Sequence, residues 1–149
     1  AIATFEDSLM NKRKYYSQPM AEAKQFCADV LALDPSIRFA GVADSTGMSV
    51  HFVYRDGLVP LLSQEETVKS MLQAVLRSGT RVTLENKLGE CAYTLSLYKK
   101  VKRVTIPLRP PTTSRPNAIL MISLDANVNH DAVIDGKVMP FLQQARLEL

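Results

Sequence analysis

The longest regular pattern in the chain runs from Ser63 to Leu88. Val68, Met71, Leu72, Val75, Leu76 and Gly79 recur at i, i+3, i+4, i+7, i+8 and i+11, with Val82 at the edge of the stripe. That spacing predicts one amphipathic helix whose apolar stripe faces a core. Its start is marked by Ser63 and, three residues on, Glu66. In such a capping box the hydroxyl and the carboxylate each take an orphan backbone N–H. Glu65 and Glu66 also place negative charge at the positive end of the helix dipole. Well round from the apolar stripe, Ser70, Ala74 and Ser78 repeat every four residues, with Arg77 and Arg81 beside them. Small residues at that spacing let a second helix approach closely, and Arg is common at interfaces. This side is expected to be exposed, either as a partner-binding face or as a plain solvated one.

The other patterns are shorter. Ile2 to Tyr16 reads as an amphipathic helix ending in the basic triplet Lys12, Arg13 and Lys14. Met20 to Leu33 reads as a second helix with Ala23, Phe26, Cys27, Val30 and Leu31 buried, closed by Asp34-Pro35. Alternation then takes over. Ser36 to Ala43 places Ile37, Phe39 and Gly41 on one side, and Met48 to Arg55 follows after the turn Asp44 to Gly47. Beyond the long helix, Cys91 to Tyr98 and Lys102 to Leu108 read as strands joined by Lys99-Lys100. Asn117 to Leu124 is nearly all apolar, as a central strand covered on both faces is. A last helix is capped by Asn127 or Asn129, buries Val133, Ile134, Val138, Phe141 and Leu142, and is bent at Pro140.

These elements predict an α+β fold: a five-stranded antiparallel sheet with helices on both faces, in the order α-β-β-α-β-β-β-α. Residues 1–18 would be an N-terminal helical extension to a domain over 19–149. A chain of 149 residues, 46% hydrophobic, suits one domain with an ordinary core. The net charge of +3 permits anionic partners without arguing for them. Cys27 and Cys91 sit in apolar patterns, so free thiols and a reducing cytoplasm are expected. The acidic N-terminus lacks the apolar run of a signal peptide. No apolar stretch approaches the ~20 residues that span a bilayer.

Candidate chemistry is sparse. His51 and His130 have no convergent partners at readable spacing, and Asp125, Asp131 and Asp135 near His130 read as helix-start acids rather than a cation site. Phosphate-loop, dinucleotide and nucleophile-elbow patterns are missing from the sequence. No catalytic residue, metal ligand or cofactor is expected. Lys99, Lys100, Lys102 and Arg103, with Tyr98 beside them, form the strongest basic patch. It would suit an acidic partner or single-stranded nucleic acid, or simply keep an edge hairpin from aggregating.

The element order, with a long helix crossing from one hairpin to the other and the Asn117 strand central, resembles the roadblock/dynein-light-chain domain and its profilin-like relatives over about Met20 to Leu142. The runs Leu88 to Glu90 and Leu97 to Leu108 are also similar to a group of small uncharacterised archaeal proteins, a likeness that brings no activity with it. The roadblock resemblance implies a non-catalytic homodimer that serves as scaffold or regulator for a small Ras-like GTPase. It implies an interface built from the long helix and the strand after it, here Ser70, Ala74, Arg77, Ser78, Arg81, Tyr93 and Leu95. Two rivals remain at this point. One is a PAS-like small-molecule sensor, which shares the element order but needs a polar cavity. The other is a basic nucleic-acid or ribosome-associated protein using Lys99 to Arg103, which the mild charge permits without favouring.

Overall fold

The computed structural model describes residues 19–145. The N-terminal helix expected over Ile2 to Tyr16, and the boundary at residue 18, lie outside them. The chain runs α1 (Pro19–Leu31), β1 (Ile37–Asp44), β2 (Val50–Tyr54), α2 (Gln64–Val82), α3 (Glu85–Leu88), β3 (Thr94–Leu97), β4 (Val101–Leu108) and β5 (Ala118–Asp125). α4 (His130–Val133), a π-helical turn (Ile134–Val138) and α5 (Met139–Gln144) then follow without a break. The strands form one antiparallel sheet in the order β2-β1-β5-β4-β3. The apolar strand β5 is central, as its composition requires, with Ala118 to Ile122 all buried.

Helices cover both faces of this sheet. On one, Ala23, Phe26, Cys27 and Val30 of α1 join Val133, Ile134, Val138 and Leu142 over the inward residues of β1, β4 and β5. The rings of Phe26 and Phe141 meet with centroids 5.8 Å apart, at the distance that tilted aromatic pairs favour. Burial pushes the Cys27 thiol up to about 12, so it is a core group and not a nucleophile. On the other face α2 lies over Phe39, Ala43, Ile119 and Met121.

Local chemistry sets the joints. The Ser63 hydroxyl accepts from the Glu66 amide at 3.1 Å, and the Glu66 carboxylate accepts from the Ser63 amide at 2.9 Å. Gly47 turns the β1–β2 hairpin at φ 75°, a conformation that favours glycine. Asp34 accepts from both the amide and the hydroxyl of Ser36 and from Lys137 Nζ at 2.6 Å, tying the α1–β1 turn to the C-terminal helical segment. Asn129 caps α4 through the Ala132 amide.

Several features differ from the sequence pattern: the first helix ends at Leu31 rather than Leu33, β2 is shorter than Met48 to Arg55, and β3 begins at Thr94 rather than Cys91. α2 stops at Val82, and a turn at Thr83 and Leu84 splits off α3. There the Thr83 hydroxyl donates to the Thr80 carbonyl at 2.7 Å, a local bond that competes with helix propagation. In β1, Ile37 pairs with Leu124 but Phe39 pairs with Ser123, so Arg38 is an extra, bulged residue. The bulge sends Ile37 to the α1 face and Phe39 to the α2 face, whereas strict alternation put them together. The bend expected at Pro140 takes the form of the π-helical turn before it. Pro140 has no N–H and its ring crowds the carbonyl four residues back, which a widened turn accommodates.

α2 approaches the sheet most closely over Gly41. A Cβ there would lie 2.8 Å from Met71 Cε and 2.9 Å from Phe39 Cζ. Gly41→Val should therefore overpack the crossing and cost about 1–3 kcal/mol in urea unfolding. Adding Met71→Ala should recover part of that loss in a double-mutant cycle.

Lys137 and Ser36 hold the Asp34 carboxyl down to about 2 from an ordinary 3.8. A depressed native pKa contributes stability above the unfolded value and loses it as pH falls through the native one. Thermal melts should thus show a contribution that fades between pH 3.8 and about 2. Asp34→Asn should flatten that limb while lowering stability at neutral pH.

Candidate interaction surface

Beneath α2 lie Phe39, Ile119 and Met121 of the sheet. The helix's own buried residues are Thr67, Met71, Ala74 and Ser78, one long side chain among three short ones, with Ala74 1% and Ser78 6% exposed. This corrects the expected orientation: Ala74 and Ser78 pack on the chain's own sheet and offer no surface to a partner. Of the line expected to fill the core Met71 is buried, while the rest is turned outward by roughly a quarter turn, at ~100° per residue. Val68, Leu72 and Val75 are half-buried, Gly79 is exposed, and Leu76 is 73% exposed.

The other predicted interface residues divide between two places. Ser70 is half-buried on the flank of α2 that faces β4, and its hydroxyl accepts from Arg103 Nη2 at 2.9 Å. Arg77, exposed, and Arg81, half-buried, continue that helix. Tyr93 and Leu95 do not join them. They pack against the core on the opposite face of the sheet, where burial raises the Tyr93 pKa, with Asp135 and Asp131 adding to the rise.

Among the described residues β3 is an edge strand, paired only with β4. Its outer row of backbone groups is open to a further strand. A half-buried ion pair positions its start. Arg109 Nη2 and Nη1 meet the Glu85 carboxylate at 2.6 and 3.2 Å, and the Cys91 amide donates to the same carboxylate at 2.7 Å. Those contacts, Arg109 foremost, hold the Glu85 pKa below the usual carboxylate range.

The basic patch is also corrected. Strand alternation sends Lys102 and Arg103 to opposite faces. Lys102 Nζ donates to the Val128 carbonyl at 2.8 Å and lies 3.1 Å from His130 Nδ1. Arg103 turns under α2 to Ser70 and Met121. Lys99 and Lys100 stay exposed at the hairpin tip, so the four cations do not make one patch. The histidines are likewise apart: His51 Nε2 contacts the Ser49 hydroxyl at 3.0 Å, and burial lowers its pKa, with Lys24 adding to the fall. Among the described residues no three His, Cys, Asp or Glu side chains converge as metal ligands. No helix among them is long and apolar enough to cross a membrane.

Pattern reading passed over one feature, the apolar run Leu58 to Leu62. It belongs to no helix or strand, yet it stands beside Tyr54, Phe39 and Arg103. Its signal was visible as five successive apolar residues outside any periodic element.

No family model matches the sequence, and no curated protein is similar to it in sequence. Solved structures are similar in fold. Myxococcus xanthus MglB aligns over 85% of this chain and 94% of its own at TM-score 0.62 and 9% identity. An MglB with tetrameric arrangement aligns over 80% and 82% at TM-score 0.60 and 13% identity. A roadblock/LC7 domain from Streptomyces avermitilis aligns over 80% and 97% at TM-score 0.53 and 11% identity. The chain therefore has the roadblock/LC7 fold.

Substitutions on α2 separate its two faces. Ala74→Arg should abolish or severely weaken folding, because it forces a charge and its volume into the helix–sheet contact. Leu76→Arg should leave the unfolding free energy of the monomer, measured by urea at high dilution, within about 0.5 kcal/mol of the parent.

Proposed function

We propose that this protein is a non-catalytic, roadblock-type regulatory scaffold that works as a homodimer and engages a protein partner of the small Ras-like GTPase class. The observation that carries the reading is the outward apolar line of α2 on a domain whose edge strand β3 is also open. A helix with its sheet-side face already filled has no internal use for an exposed leucine in mid-helix. Helix-to-helix packing through Leu72, Leu76 and Gly79, with strand addition at Thr94–Leu97, would bury both features at once. Ser70, Arg77 and Arg81 would flank that contact, and Tyr93 and Leu95 would support β3 from beneath. The tetrameric arrangement named for one MglB agrees with an assembling fold. Two free cysteines fit a reducing cytoplasm. Residues 1–18 belong to the proposal as an added segment preceding a domain over 19–149.

The rival readings draw less support. A sensor needs space between helix and sheet, but Met71, Ala74, Phe39 and Met121 fill the centre of that layer. A nucleic-acid groove needs its cations together, and Lys102 and Arg103 point apart.

Sedimentation of the pure protein tests the dimer. We expect a dimer at tens of micromolar, and a monomer with unchanged circular dichroism for Leu76→Arg. A parent protein that is monomeric at that concentration ends the proposal. Pull-down from native cells followed by mass spectrometry tests the partner class, and recovery without any GTPase removes that part.

A further inference from the structure

At the first turn of α2 the Thr67 and Tyr54 hydroxyls meet at 2.7 Å. Tyr54 belongs to a row of cross-strand neighbours, with Phe39, Ser123, Arg103 and Ser96, that crosses all five strands. The Leu58 to Leu62 loop rises beside this row. Phe39, Tyr54, Leu58, Leu61 and Arg103 line a recess of about 70 Å³, space for a few water-sized groups or one side chain. Its walls are mostly apolar, and they continue outward onto Val59, 82% exposed, and Leu61, 55% exposed.

Arg103 is the unusual group in it. Its Nη2 donates to the Ser70 hydroxyl at 2.9 Å and reaches the Met121 sulfur, and the Tyr98 hydroxyl is a further hydrogen-bond neighbour. None of these is an anion. Among the described residues no carboxylate pairs with Arg103, and Arg77 lies near enough to repel it. At the rim, by contrast, Arg38 is neutralised by Asp125 at 3.3 Å, which Arg55 shares at 3.1 Å. Partial burial of a guanidinium without a counter-charge is unfavourable, and here burial is the main cause pulling the Arg103 pKa down. Its planar fork suits a carboxylate better than any other protein group.

We infer that this recess is a docking site for an acidic segment of a partner protein, an Asp or Glu beside a bulky aliphatic residue. The carboxylate sits on Arg103 and the aliphatic neighbour on Leu58, Leu61 and Phe39. The extension of the apolar wall onto Val59 and Leu61 favours a polypeptide over a free acid, which would leave that rim uncovered. The inference stands apart from the dimer, since it uses neither Leu76 nor the β3 edge.

The test is a 15N NMR titration of the full chain with three probes: acetyl-Ser-Leu-Glu-Leu-Ser-amide, its Gln analogue, and 4-methylpentanoate. We expect the Glu peptide to shift the amides of Leu58, Val59, Leu61 and Leu62 and the Arg103 Nε–H. The Gln peptide should bind about tenfold more weakly, as loss of a charge-assisted bond implies. Arg103→Gln should bind both peptides alike. Should that variant not fold, exposed Leu61→Asp carries the test and should weaken the Glu peptide at least as much. Equal affinity of the two peptides for the parent protein overturns the inference, as does a Glu peptide that shifts nothing in the recess. Free 4-methylpentanoate binding as tightly as the peptide overturns the choice of a protein partner. A parent protein deaf to the peptide whose Arg103→Gln variant changes from dimer to monomer means that a second copy covers the recess, and overturns it too.

Discussion

The close passage of α2 over β1 governs the rest of this molecule. Gly41 leaves no Cβ beneath Met71, and Ala74 and Ser78 follow it at helical spacing along the contact. Phe39, Ile119 and Met121 of the sheet meet one long side chain of the helix, Met71, and the short Ala74 and Ser78. Complementarity of that kind gives dense packing at small separation. It also decides how the helix is rotated about its own axis, and so which residues reach solvent.

The two faces of the sheet are consequently of different character. The α1 face has the larger apolar cluster, with the C-terminal helical segment closing over it and Lys137 tied back to Asp34. The α2 face is a smaller cluster that ends at Phe39 and Tyr54, beside the recess that Ser123 and Arg103 also line. The first face is where the chain is sealed. The second is where it presents an apolar helix line, an open edge strand and an uncompensated cation. The proposal of recognition across a surface rests on that division.

Charge placement follows from the same geometry. Lys102 and Arg103 are neighbours in sequence, yet strand alternation separates them by the thickness of the sheet. Lys102 is spent on the Val128 carbonyl beside His130, while Arg103 is drawn under α2. The bulge at Arg38 has a comparable effect, turning that guanidinium to Asp125 while moving Phe39 into the α2 layer.

The amino-acid sequence alone determined what depends on near neighbours. The capping box at Ser63 and Glu66, the turn at Gly47, the stop at Asp34-Pro35 and the apolar run of β5 are local signals, and each appears where its residues place it. Element order follows from them, and with it the roadblock-type fold. What tertiary structure alone decided is orientation. Hydrophobicity read along α2 points its apolar line inward, because a sequence pattern weighs only the helix itself. The actual inward line was chosen by Gly41, Phe39 and Met121, tens of residues away, whose shapes admit Ala74 and Ser78 and exclude Leu76. The same distance effect set the bulge at Arg38 and parted the basic hairpin. The exposed face of α2 and the recess at Arg103 exist only once the sheet is assembled beneath the helix.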